Sequence, residues 1–203
     1  MGTPNEVMRV LNYGGVVILP TETVYGLATR ADDSEAVERL YAIKGREFDK
    51  PLALCVSSAD VAQKFAKFDD TAKALADKFW PGPLTLVLPL SDTPAVKTLS
   101  PQMMAKTSKG EPTIALRCPD VEWRDDITDT PIALTSANKS GDPAPTTAKD
   151  AAKMLGYDVD DMWLGADCAK GLASTIITLA EGTPKILRQG ALPENELSEW
   201  LGS

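Results

Sequence analysis

The stretch S-E-A-V-E-R-L-Y-A-I-K-G-R-E-F-D-K-P-L-A-L-C-V, Ser34 to Val56, holds a helix, a stop and a strand in direct succession. Val37, Leu40 and Tyr41 fall on one helical face, Ser34 supplies an N-terminal cap, and Gly45 after Lys44 is the usual C-terminal stop. Leu52 to Val56 is apolar but too short for a helix, so it reads as a buried strand. A helix running straight into a buried strand is the repeating unit of an α/β domain. The turn between them gathers Lys44, Arg46 and Lys50, although the chain has 29 Asp and Glu against 21 Lys and Arg, a net charge of −8. A lysine in the last helical turn is favoured by the helix dipole alone. By itself this stretch reads as a cap with solvated charges; the rest of the chain must decide whether they face a ligand.

Toward the N-terminus, Val7, Met8, Val10 and Leu11 predict a short amphipathic helix over Asn5–Tyr13, closed by Gly14-Gly15. Val16–Leu19 reads as a buried strand, P-T-E-T breaks it, and Val24–Leu27 follows as a second extended segment. Toward the C-terminus, Ser58 caps a helix carrying Val61 and Phe65, and Asp69 or Asp70 caps the next, with Ala72, Leu75 and Phe79. Trp80-Pro-Gly-Pro83 is a corner before the strand Leu84–Leu88. Residues 91–112 show no clear period and read as a mobile surface loop. Strands are expected at Thr113–Arg117, Pro131–Thr135, Met162–Leu164, Thr175–Leu179 and Lys185–Arg188. Thr146 or Thr147 caps a helix through Leu155, and Glu194–Leu201 forms a last short helix. Helices and strands interleave without a repeat or linker, which predicts a single α/β domain over 1–203 with a mixed sheet and flanking helices.

Composition excludes several chemistries. The chain has no histidine, which removes Ser-His-Asp and Cys-His catalysis and any imidazole base. Cys55, Cys118 and Cys168 are scattered, which argues for a reducing compartment, hence the cytoplasm, and against a zinc site. No window approaches the roughly 18 consecutive apolar residues of a membrane span, and Met1–Arg9 lacks a secretory pattern. Neither a G-x-x-x-x-G-K-[ST] loop nor a G-x-G-x-x-G turn after a strand occurs. Acids gather at Asp120–Asp129, Asp158–Asp161 and the C-terminal tail, whereas Lys97, Lys106, Lys109 and Arg117 share one stretch with Glu111 as its only acid. The acidic balance disfavours a large nucleic-acid footprint but allows a small anionic ligand. Four polar clusters, Pro20–Gly26, Lys44–Leu52, Ser136–Thr146 and Gly171–Arg188, stand at strand or helix ends, where α/β sheets hold ligands.

Seven blocks then follow in order: G-G-V-V-I-L-P-T-E-T-V-Y-G-L, A-V-E-R-L-Y-A-I-K-G-R-E-F-D-K-P-L, W-P-G-P-L-T-L-V-L, T-I-A-L-R-C-P-D, S-A-N-K-S-G-D-P-A-P-T-T, G-L-A-S-T-I-I and L-R-Q-G-A. Their order and spacing resemble the YrdC/TsaC family of threonylcarbamoyl-AMP synthases, in its short single-domain form. The resemblance implies a twisted α/β sheet with a concave, positively charged pocket. It implies a reaction in which L-threonine, bicarbonate or CO2, and ATP give threonylcarbamoyl-AMP and pyrophosphate, with Mg2+ held mainly by the ATP phosphates. A downstream transferase would carry the threonylcarbamoyl group to adenosine 37 of tRNA, and this chain would bind tRNA weakly or not at all by itself. Carried over block by block, Lys44 and Arg46 would hold the triphosphate and act catalytically, with Ser136 and Asn138 lining the same pocket. Thr113, Thr146 and Arg188 would contact the nucleotide. Arg117, Thr21, Ser174 and Tyr25 would form the threonine site, Arg117 because a guanidinium fork suits a carboxylate. The chain departs from the family at Cys55, often histidine, and at Ala173 and Thr178, often glutamate and aspartate. Two other readings stay open: a non-catalytic RNA-binding protein of the same fold, and a paralogue using another amine.

Overall fold

The computed structural model describes residues 2–128 and 130–201, so the Asp129 end of the acidic run lies outside the described residues. In chain order the elements are α1 (Pro4–Asn12), β1 (Val17–Leu19), β2 (Gly26–Arg30), α2 (Ser34–Lys44), β3 (Ala53–Cys55), α3 (Ala59–Ala62), α4 (Asp70–Phe79) and β4 (Leu84–Pro89). They continue as α5 (Pro94–Lys97), β5 (Met104–Lys106), β6 (Pro112–Arg117), β7 (Ile132–Ser136), α6 (Ala148–Leu155), β8 (Asp161–Met162), β9 (Thr175–Thr178) and β10 (Lys185–Arg188). The strands form one mixed sheet in the order β10-β9-β4-β6-β3-β7-β2-β1-β8, with β5 paired to β6.

Strand alternation gives the sheet two faces with different fates. Ile18, Leu27, Leu54, Leu84, Leu86, Leu116 and Ile177 point to one face, where Val37 and Leu40 of α2, Leu75 of α4 and Leu155 of α6 complete a large core. On the other face Val17, Leu19, Ala28, Ile132 and Leu134 are covered by Val7, Met8 and Leu11 of α1 and by Trp123 and Ile127. That second cover ends at Cys55 on β3. Beyond it the same face opens as a concave cleft over β6, β4, β9 and β10, which also takes in Gly26 of β2, Ala53 of β3 and Leu134 to Ser136 of β7.

Several sequence expectations shift for identifiable reasons. Asp33, not Ser34, caps α2, its carboxylate accepting the Ala36 N–H at 3.0 Å. Of the two pairs of caps left open, Thr147 caps α6 and Asp69 caps α4. The second extended segment lies at β2, later than Val24–Leu27, because the Thr21 hydroxyl ties residues 21–24 into a turn by donating to Val24 O at 2.5 Å. Residues 91–112 are not one structureless loop: they hold α5, a 3₁₀ turn at Pro101–Met103 and β5, pinned by buried Val96, Leu99 and Met103. The last helix is reduced to a 3₁₀ turn at Glu194–Glu196, anchored by buried Leu197 and by Trp200 packed edge-on to Phe79. All three cysteines are free thiols. Among the described residues no helix is long and apolar enough to cross a membrane.

Candidate active site

Register builds the floor of the cleft. One row across the sheet reads Arg188, Ile176, Thr85, Arg117, Cys55 and Ile132, each paired with the next. Paired residues share a face, so Arg117 and Arg188 project from the same side of the sheet. The loop after α2 brings Arg46 to the wall beside them. The walls and floor include Thr21, Arg46, Thr85, Arg117, Ser136, Ser174 and Arg188, over a small apolar floor of Ala53, Ala115 and Ile176. The cleft encloses about 740 Å³ between atoms, its open mouth included.

The three guanidinium groups are held differently. Arg46 donates to Lys50 O at 2.8 Å and Pro51 O at 3.1 Å, which orients it along the K-G-R-E-F-D-K-P turn. Arg188 donates through Nε and Nη2 to Ser174 O at 3.2 and 2.8 Å. Burial, and then the cations Arg117 and Arg46, push the Arg188 pKa down from its ordinary value. Arg117 is 6 % exposed and forms an ion pair with Glu22 at 2.8 Å and a hydrogen bond to Thr23 Oγ1 at 2.7 Å. Ser174 shares a hydrogen bond with Thr85, 2.8 Å between hydroxyl oxygens. Gly190 stands where a Cβ would come within 2.2 Å of Ala173 O, so the R-Q-G-A turn packs its backbone directly onto the Ser174 segment.

Lys44 does not line the cleft. It is 2 % exposed, and its ammonium lies within 2.6 Å of Ser136 O, 3.0 Å of Asn138 O and 3.1 Å of Asn138 Oδ1. Burial, and then Arg46, lower its pKa to about 8. Gly45, at φ +62°, turns the chain so that the lysine on one side of it goes inward and the arginine on the other reaches the cleft. Asn138 lies behind the cleft wall, its amide donating to Lys139 O and Asp142 O at 2.8 and 2.7 Å.

Three other expected residues stand apart from the cleft lining. Tyr25 is fully buried, its hydroxyl within 3.1 and 3.0 Å of Gly165 O and Ala166 O. Thr146 accepts the Cys168 N–H through its carbonyl. Thr113 shares the cleft face of β6 with Ala115 and Arg117 but lies four places from Arg117 along the strand. Of the departures, Cys55 is buried beside Arg117 in the register, Ala173 lines the cleft, and Thr178 is buried on β9. The structure adds Glu22, Thr23 and Thr85, which sequence reading did not select. Alternation within L-T-L-V-L could have placed Thr85 on the cleft face. Nothing local marks Glu22, because its partner lies 95 positions away.

The profile of the Sua5/YciO/YrdC family, described as telomere recombination, matches residues 9–190. The chain is 39 % identical over 194 residues to a threonylcarbamoyl-AMP synthase of Pyrococcus abyssi, covering 93 % of this chain and 54 % of that protein. It is 35 % identical over 203 residues to a threonylcarbamoyl-AMP synthase of Bacillus subtilis, covering 97 % of this chain and 56 % of that one. The crystal structure of P. abyssi Sua5 complexed with L-threonine superposes with a TM-score of 0.85 at 37 % identity, over 96 % of this chain and 56 % of that chain. The chain thus spans about half the length of these relatives. With a matched profile over most of its length, the chain belongs to the Sua5/YciO/YrdC family.

Proposed function

We propose that this protein is a threonylcarbamoyl-AMP synthase, joining L-threonine, bicarbonate or CO2, and ATP into L-threonylcarbamoyl-AMP with release of pyrophosphate. The observation that carries the reading is the convergence of Arg46, Arg117 and Arg188 with the hydroxyls of Thr21, Ser136 and Ser174 on one cleft. The similarity to a Sua5 crystallised with L-threonine supports threonine as the amino acid.

The chemistry suits a site without histidine. The threonine amine adds to CO2 and loses a proton, the carbamate oxygen attacks the α-phosphorus, and pyrophosphate leaves. The protein's tasks are to hold the reactants together and to neutralise charge on the phosphates. Arg46 and Arg188 serve the triphosphate; Thr113 and Thr146, outside the cleft lining, are assigned to the nucleoside by the family resemblance alone. Arg117 takes the threonine carboxylate, and Thr21, Ser174 and Ser136 fix the rest of the amino acid. Lys44 holds the S-A-N turn, and through it Ser136, in place. Mg2+ arrives with ATP, coordinated by its phosphates; among the described residues no three His, Cys, Asp or Glu side chains cluster as metal ligands.

The product is a mixed carbamic–phosphoric anhydride, an activated donor that a separate transferase must consume, here for adenosine 37 of tRNA in the cytoplasm. The similarity to named synthases favours this reading over the RNA-binding alternative; of the cations that motivated the alternative, Arg117 lines the cleft, while Lys97, Lys106 and Lys109 are exposed outside it. The test is a product assay with threonine, bicarbonate or ATP left out in turn. All three should be required for threonylcarbamoyl-AMP and pyrophosphate to appear; pyrophosphate release without threonine would overturn the reading.

A further inference from the structure

Among the described residues, the cleft lining holds three arginines and no carboxylate. A polyphosphate entering it would meet three strong anion sites, and a guanidinium binds phosphate as readily as carboxylate. Arg117 and Arg46 add to burial in depressing the Arg188 pKa. One of them differs from the others. Arg117 pairs with a carboxylate, Glu22, at 2.8 Å, and the side chains of this pair are only 7 % and 11 % exposed. Arg46 and Arg188 meet carbonyl oxygens instead.

The pair is also incomplete. Glu22 Oε2 and Arg117 Nε are buried without a hydrogen-bond partner among the described residues. A pair kept only for stability would close both contacts, since a buried polar atom left unmade is destabilising. From this charge pattern we infer that Glu22 is a specificity-determining residue, which reserves Arg117 for the single carboxylate of the amino acid by repelling the polyphosphate toward Arg46 and Arg188. The inference rests on the reading of the cleft as a site for both an amino acid and a nucleoside triphosphate. Glu22 acts through Arg117 and through the local potential, so it is a positioning residue and takes no part in bond making.

The experiment uses calorimetric titration of the purified protein with inorganic tripolyphosphate and with L-threonine. In the wild type, saturating tripolyphosphate should leave threonine affinity within about two-fold, because the two anions occupy different arginines. Direct competition between them in the wild type overturns the inference without any mutant. Glu22→Gln keeps the side-chain shape and an oxygen for Arg117 while removing the charge. It should bind tripolyphosphate about ten-fold more tightly, and tripolyphosphate should now displace threonine. Glu22→Asp keeps the charge and should retain independent binding even if Glu22→Gln fails to fold. Unchanged tripolyphosphate affinity in Glu22→Gln, or the same gain in Glu22→Asp, overturns the inference. If Glu22→Gln tightens tripolyphosphate while the wild type ignores threonine, the charge partition stands and the amino-acid reading fails.

Discussion

Lys44 and Arg46 stand on either side of one glycine, yet substituting them should have different consequences. Lys44→Ala would leave the buried acceptors of Ser136 and Asn138 without their ammonium. Stability should fall by about 2–3 kcal/mol, or roughly 5–10 °C in melting temperature, together with activity. Arg46→Ala removes a cleft side chain whose internal bonds are to partly exposed carbonyls, so activity should fall at least about ten-fold with little change in melting temperature. Thermal denaturation beside the product assay separates the two; equal melting temperatures for both variants would refute this division. The lysine also makes a pH prediction. Its folded pKa of about 8 lies below the ordinary 10.5, so between those values the unfolded chain binds more protons than the folded protein. Stability from this residue therefore rises with pH across that window, by at most about 1.4 kcal/mol per unit. Urea denaturation of the wild type against Lys44→Met, at several pH values from 8 to 10, should show that rise as a difference; parallel curves would deny it.

At the scale of elements, two glycines hold the site by different means. Gly45 needs a left-handed backbone but has open space around it, so Gly45→Ala should cost about 1 kcal/mol and misdirect Arg46. Gly190 has no room: a methyl group there would stand 2.2 Å from the Ala173 carbonyl oxygen, with Ser174 immediately behind it. Gly190→Ala should therefore separate β10 from the Ser174 segment and lose several-fold more stability than Gly45→Ala. Denaturation midpoints of the two variants test the ranking, and equal losses would contradict it. These elements also show what the sequence made legible. Apolar periods located α1, α2, α4 and most central strands to within a few residues, because burial enforces those periods. The α2 cap slipped by one residue, from Ser34 to Asp33, and the α6 cap stayed open between Thr146 and Thr147, since where two polar side chains adjoin only the bond actually formed decides between them. Residues 91–112 hid their structure because Val96, Leu99 and Met103 gain burial only against distant parts of the chain. In the site, Arg46, Arg117, Ser136, Ser174 and Arg188 were approachable through short motifs. Glu22 was not, because its meaning lies in a partner on a distant strand.

For the molecule as a whole, the cleft draws on segments from Thr21 to Arg188, so a ligand there should oppose global unfolding. At a hundred-fold excess over its dissociation constant, each ligand should add about 2.7 kcal/mol, seen as a rise of roughly 5–10 °C in melting temperature. L-Threonine and MgATP should each produce the shift, and serine or GTP less; no shift with either proposed substrate would count against the cleft as their site. The net charge of −8 predicts in addition that tRNA alone does not shift in a mobility assay, even at low salt where phosphate contacts are strongest.

The pairing of β4 with β9 is parallel, Leu84 against Thr175 and Thr85 against Ile176, and β10 is hydrogen-bonded to the sheet through β9. A parallel partner cannot be reached by a hairpin, so some ninety residues must be brought back across the sheet before these strands meet. Arg188 and Ser174 join Arg117 only after that closure. Binding competence should thus appear late in refolding, only once β9 and β10 have joined the sheet. Nascent chains lacking the β9–β10 region would then carry the core's tryptophan signal before any affinity for substrate.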